Sequence, residues 1–212
     1  GGASNGSVCF KNYPRIWCYT RNMAFLSLES LAVALSITYV VFAAIEKKVC
    51  WWFALTSSLI YIFIFFDVRL YMESMLSVYY ALMALYGIFV WGKTDSEKQH
   101  SKIISYDFRI HLLILTAIII LSGLSGYILS NNSDAYRPYL DSLTTWSSIF
   151  ATFLVVKKVL ENWIYWILID SVSIVLYFER ELYQTVFLFI VYLGIAFLGL
   201  FIWRKNFESQ NK

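Results

Sequence analysis

Glu161-Asn162-Trp163-Ile164-Tyr165-Trp166-Ile167-Leu168-Ile169-Asp170, continuing as Ser171-Val172-Ser173-Ile174-Val175-Leu176-Tyr177, is apolar for long enough to cross most of a bilayer, yet carries a carboxylate near its middle. At helical spacing Trp163, Trp166, Asp170, Ser173 and Tyr177 share one face, because steps of three and four stay on one stripe. Ile164, Leu168, Val172, Val175 and Leu176 form the opposite face, suited to lipid or neighbouring helices. A carboxylate in hydrocarbon is costly, so Asp170 should face a cavity, a partner or a bound cation. The indoles one and two turns away supply flat, electron-rich walls that attract cationic aromatic groups. The segment reads as half of a binding site.

The same texture extends through all 212 residues, which are 59% hydrophobic and 19% aromatic, with nearly all charges confined between apolar runs. That composition excludes an ordinary soluble domain. A net charge of +3 is too small to suggest a nucleic-acid partner, and the basic residues read instead as topology signals. Spans fall at about 24–45, 50–66, 74–92, 108–130, 140–156, 160–178 and 183–203. A polar leader, 1–23, precedes them, with Met23 a candidate native start and the residues before it in part foreign. Alternate loops then lie on opposite sides. One side collects Lys47, Lys48, Lys93, Lys98, Lys102, Arg109, Lys157, Lys158, Arg204, Lys205 and Lys212, eleven of the 17 basic residues. The positive-inside bias puts that side, with the C-terminus, in the cytoplasm and the N-terminus outside.

An internal repeat organises the spans. A shift of 112 positions places Leu28, Ser30 and Leu31 on Leu140, Ser142 and Leu143, and Trp51 on Trp163. Without a gap it also places Leu70-Tyr71 on Leu182-Tyr183, Tyr80 on Tyr192, Gly87 on Gly199, Trp91 on Trp203 and Lys93 on Lys205. Matched tryptophans and glycines in fixed register mean a duplicated three-helix unit. The expected divisions are a first repeat at 24–92, a loop and linker helix at 93–139, a second repeat at 140–205 and a tail at 206–212. The shift crosses an even number of spans, so the two units run parallel, an arrangement transporters use around a central site. The fold class expected is therefore an all-α membrane protein with seven transmembrane helices in SWEET-like 3+1+3 order.

The halves differ where a ligand would sit. Asp170 stands opposite Ser58, Trp166 opposite Ala54, Ser173 opposite Tyr61 and Tyr177 opposite Phe65. On the third span Glu73, Ser77, Tyr80 and Ala84 share a face, matched on the seventh by Tyr192 and Ala196. The expected substrate contacts are Asp170, Trp166, Trp163, Asn162, Ser173, Tyr177 and Tyr192 from the second half. The first half adds Ser77, Tyr80, Ser58 and Trp51. No basic residue lies at the depth of Asp170 in any span, which favours a ligand over a structural ion pair. Trp91 and Trp203 read as interfacial-belt residues, and Gly87 and Gly199 as close-packing contacts. Glu73 and Asp141 lie near water, and Glu161 reads as a solvated pair with Lys157.

Enzymatic chemistry finds no footing here. Cys9, Cys18 and Cys50 lack metal-ligand spacing, and His100 and His111 stand alone. The chain has no nucleophile motif, no phosphate-cradling glycine loop and no paired carboxylates, so neither cofactor nor metal is expected. A membrane enzyme, or a non-transporting binding subunit, is the competing class.

Glu-Asn-Trp-x-x-Trp at 161–166 and Asp-x-Val-Ser-Ile at 170–174 resemble the second-repeat core of the PnuC-type vitamin transporters. Ile64-Phe65-Phe66, Leu70-Tyr71 and Tyr86-Gly87 with Trp91 resemble the first. The resemblance covers about residues 25 to 205. It implies facilitated diffusion of a water-soluble vitamin across the bacterial inner membrane, followed by trapping by a cytoplasmic kinase. Nicotinamide riboside carriers of that family usually hold an asparagine at the position of Asp170, and a glutamine and an asparagine where Ser77 and Ala84 stand. These departures point to the thiamine-type branch, whose thiazolium a carboxylate and stacked indoles suit. Nicotinamide riboside is the alternative substrate. Membrane lipid is the other expected partner, and monomer or homo-oligomer stays open.

Overall fold

The computed structural model describes residues 15–67, 71–96, 102–132, 137–179 and 183–210. The side chains of 15–27, Phe65, Asp67, 71–73, 93–96, Tyr177 and 183–185 lie outside that description. Among the described residues the chain forms seven α-helices and no strand: α1 (Arg15–Ala44), α2 (Cys50–Asp67), α3 (Tyr71–Ser96), α4 (Phe108–Asn132), α5 (Pro138–Val156), α6 (Asn162–Glu179) and α7 (Tyr183–Gln210). Interior boundaries fall within a few residues of those expected. The outer ones do not: α1 begins at Arg15, ahead of 24, and α7 runs past 203 to Gln210. Hydrocarbon thickness limits the apolar stretch, but a helix can continue into polar residues. On α7 that extension carries an Arg204–Glu208 pair at 3.2 Å.

By length and composition, Ser74–Gly92, Phe108–Asn132 and Val186–Gln210 can each cross a membrane, and Leu28–Ala44, Cys50–Ile64 and Asn162–Leu176 are shorter apolar segments. Large apolar side chains face outward, as lipid contact allows; Leu113, Phe63 and Phe201 are examples. α1 packs on α2 and α2 on α3. In the same way α5 packs on α6 and α6 on α7. The halves meet through α1 against α7 and through α3 against α5, and exchanging α1 for α5 and α3 for α7 maps one interface onto the other. α4 packs on α5, where Gly126 lets the helices approach: a Cβ there would come within 2.6 Å of the Tyr139 ring.

The turns after α1 and α5 are built alike, 112 residues apart. Lys47 N–H donates to Phe42 O at 2.9 Å and Glu46 N–H to Ala43 O at 3.1 Å; Val159 N–H donates to Leu154 O at 3.0 Å and Lys158 N–H to Val155 O at 3.0 Å. Each pair is the Schellman closure of a helix C-terminus. The left-handed residue it needs is Glu46 (φ 56°) in one turn and Lys158 (φ 54°) in the other, where glycine is usual. Each costs about 1–3 kcal/mol of backbone strain.

The core between the halves is aromatic. Trp51 meets Trp91 edge-on (5.4 Å, 87°), and Trp163 meets Trp203 in the same way (5.5 Å, 86°). Trp91 and Trp203 then touch across the middle at 6.4 Å. This corrects the interfacial reading of Trp91 and Trp203, which are 4% and 0% exposed. The Trp91 indole N–H donates to Val156 O (3.0 Å), and that of Trp203 to Ala43 O and Ala44 O (3.2 and 3.1 Å). Each ring caps the last carbonyls of a helix in the opposite half, a buried partner that an interfacial tryptophan would not need. Gly87 and Gly199 are close-packing contacts, as expected. A Cβ at Gly87 would lie 2.2 Å from Trp51 Cδ2, and one at Gly199 would lie 2.7 Å from the Trp163 ring.

Glu161 does not pair with Lys157. α5 ends at Val156 and the left-handed turn separates the two residues, so helical spacing no longer holds between them. Glu161 accepts instead from Ser105 Oγ and from Tyr106 N (3.4 Å), and lies 3.6 Å from His111 Nε2. Lys157 donates to the Tyr86 hydroxyl at 2.5 Å. The extended segment around Ile104 is fastened here by Ile104 N–H to Lys158 O (3.0 Å) and Leu160 N–H to Ile104 O (2.8 Å).

Candidate functional site

Asp170 lies inside the protein, 2% exposed, two turns along α6 from Trp163. Among the described residues no ion pair or hydrogen bond reaches its carboxylate. Ser173, one turn on, is 4% exposed and on the same face. Across from them stands Tyr192 of α7, close enough for its hydroxyl to feel the Asp170 charge. Tyr192 is also linked electrostatically to Tyr61 of α2, which in turn feels the charge of Glu29 of α1, and Ser36 of α1 lies near both tyrosine hydroxyls. Asp170, Tyr192, Tyr61 and Ser36 therefore form a chain of neighbours that joins the two halves. They offer one anionic acceptor beside two phenol hydroxyls that can donate or accept and the Ser36 hydroxyl, which donates to its own helix and can accept. Such a set can hold a cation that also carries hydroxyl or amino groups.

Ser36 and Tyr61 were absent from the expected contacts. Tyr61 lay within reach of the sequence, being the repeat counterpart of Ser173 and one turn beyond Ser58. Ser36 carried no signal, since a serine on a mixed apolar helix has many structural uses; it also donates to Ala32 O at 2.9 Å.

The other expected contacts divide. Ser58 (7% exposed) and Ser77 (5%) are buried in the first half. Tyr80 is half-buried beside Tyr79 (5.8 Å between rings), whose hydroxyl donates to Ile149 O (2.7 Å), and it is linked electrostatically to Tyr39. Trp166 is half-buried and packs against both core clusters. Trp51 and Trp163 belong to the packed core, against Gly87 and Gly199. The indole N–H of each has no acceptor among the described residues. Asn162 is wholly buried and donates through Nδ2 to Val159 O at 2.6 Å, tightening the turn into α6. Its Oδ1 has no partner among the described residues. The side chains of Tyr177, Glu73 and Cys18, and the leader ahead of Arg15 with Cys9, lie outside the described residues. No group of three or more metal-ligating side chains occurs among the described residues.

Comparison with known proteins agrees with this architecture. The family described as nicotinamide mononucleotide transporter matches residues 26–205. The nicotinamide riboside transporter PnuC of Escherichia coli (strain K12) is 22% identical over 213 aligned positions, covering 86% of this chain and 87% of that protein. The nicotinamide riboside transporter PnuC of Neisseria mucosa is 27% identical, covering 84% of this chain and 72% of that protein. A crystal structure of the vitamin B3 transporter PnuC shares the fold, with a TM-score of 0.70 at 22% identity over 95% of this chain and 94% of the other. These relatives are transporters and not enzymes. With nearly all of its helical length matched, the chain belongs to the nicotinamide mononucleotide transporter family and is a PnuC-type membrane transporter.

Proposed function

We propose that the protein carries nicotinamide riboside across the bacterial inner membrane by facilitated diffusion, with Asp170 as counter-charge to the pyridinium ring. The observation that carries the reading is a carboxylate 2% exposed on α6 with no ion-pair partner among the described residues. N-glycosylation makes the nicotinamide ring a permanent cation, so Asp170 serves it as well as it would a thiazolium. The relatives named above therefore favour nicotinamide riboside over thiamine, which the sequence departures put first. Trp166 is the ring-stacking partner; Tyr192, Tyr61, Ser36 and Ser173 face the ribose hydroxyls. Parallel repeats at 24–92 and 140–205 rock around this site with the C-terminus cytoplasmic, and a cytoplasmic kinase retains the product.

Thiamine stands as the second reading on one observation: Ser77 and Ala84 are both buried and neither offers an amide to a carboxamide or ribose. Binding of nicotinamide riboside, thiamine and riboflavin to the purified protein decides between them. Nicotinamide riboside should bind tightest. Thiamine binding alone would restore the second reading, and riboflavin binding alone would remove Asp170 from the explanation.

A further inference from the structure

Glu46 and Lys158 occupy equivalent positions, 112 residues apart, in the two matching turns. They meet each other: Lys158 Nζ lies 3.0 Å from Glu46 Oε2, with the side chains 9% and 16% exposed. In a molecule of two parallel halves, equivalent residues come face to face only on the axis relating them. Trp91 and Trp203, also equivalent, meet at 6.4 Å close by, and Lys158 Nζ sits 4.6 Å from the Trp91 ring. The axis therefore leaves the protein through this ion pair, and a path running between the halves must pass it.

Two features set the pair apart from an ordinary surface bridge. Both residues hold left-handed backbone positions that favour glycine, so the chain places charges where a strain-free turn would lack them. The remaining carboxylate oxygen, Glu46 Oε1, accepts from Asn206 Nδ2 of α7 at 2.7 Å. One carboxylate at the end of the first half thus grips two elements of the second.

We infer that the Glu46–Lys158 pair is the gate at the lysine-rich end of the transport path, holding the halves shut in this conformation and parting when substrate leaves. The inference rests on the transport reading above. Two charged side chains on flexible stems suit this role, since their bond can be exchanged for water as the halves separate, while the tryptophan contacts set the closed spacing.

Cys50 supplies a native reporter. It is fully buried four residues after Glu46 and near enough to Lys158 to feel its charge. In a Cys9→Ser/Cys18→Ser background, reconstituted with the lysine-rich face accessible, Cys50 is the sole thiol for a membrane-impermeant maleimide. Glu46→Gly/Lys158→Gly suits both turns and leaves neither charge orphaned. It should label about fivefold faster or more, as the open population grows. Glu46→Lys/Lys158→Glu restores the pair with its ends exchanged but gives up the Asn206 and Trp91 contacts, so it should label more slowly than the glycine variant, and labelling as fast as that variant counts against the gate. Parental-rate labelling of the glycine variant overturns the gate and leaves the pair a plain turn contact. If that variant does not reconstitute, Glu46→Cys/Lys158→Cys in a background without Cys50 decides. Bridging its thiols with Cd²⁺ must stop counterflow reversibly, and unaltered counterflow in bridged protein overturns the gate equally. Labelling needs no transported solute. A wrong substrate therefore shows separately, as absent nicotinamide riboside counterflow in the unmodified protein while the labelling pattern persists.

Discussion

At the scale of single residues, Asp170 sets a conflict between stability and binding. A buried carboxylate that meets no partner among the described residues destabilises the empty protein, because a charge leaves water with little to replace the lost hydration. Asp170→Asn keeps the shape and removes the charge. It should raise the melting temperature in detergent while weakening nicotinamide riboside binding by about 1–3 kcal/mol, the range for charge-assisted bonds. Calorimetry on the folded variant checks this, and unchanged affinity would count against Asp170 as counter-charge. Trp166→Ala should cost far more affinity than Trp52→Ala, since Trp52 is 59% exposed and faces outward from α2. Equal losses would assign Trp166 to packing. Trp203 cannot serve as the neutral control that an interfacial residue would be, because its indole caps α1.

At the scale of helix pairs, packing in each half turns on a glycine under an indole. Gly87→Ala and Gly199→Ala each gain helix propensity of about 1 kcal/mol but force a methyl into a rigid ring. Overpacking of this kind costs about 1–3 kcal/mol, so both should lower the unfolding temperature. Gly123 and Gly194 have nothing within 4 Å of an added Cβ, and alanine there should be neutral or stabilising by up to about 1 kcal/mol. Thermal unfolding of the four variants side by side tests the contrast. A uniform response would mean that propensity, not the indole contact, governs these positions.

For the whole molecule, the expected cycle is passive. Sealed proteoliposomes preloaded with unlabelled nicotinamide riboside should draw in the labelled compound with no gradient imposed. Concentrative uptake driven by a pH or sodium gradient would refute passive transport and make Asp170 a coupling residue. Asp170 is the one buried carboxylate among the described residues, which suits charge pairing with a permanent cation better than a proton relay, since a relay needs successive buried titratable groups.

Helix number and order, the fixed offset of 112 and the outlier status of Asp170 were all legible in the sequence, because hydrocarbon length and the cost of a buried charge act locally along the chain. Gly87 and Gly199 were legible for the same reason: a missing side chain in an apolar helix has few uses other than close approach. Tertiary structure alone decided that Trp91 and Trp203 cross into the opposite half, that Glu161 turns to Ser105 and Tyr106 instead of Lys157, and that Ser36 comes up to Tyr192, the tyrosine beside Asp170. Those outcomes depend on which ends of distant helices meet. A periodic pattern says which face of a helix is buried, but not which helix covers it. The meeting of Glu46 with Lys158 is of this second kind, since it needs the axis relating the two halves, and no single turn contains that axis.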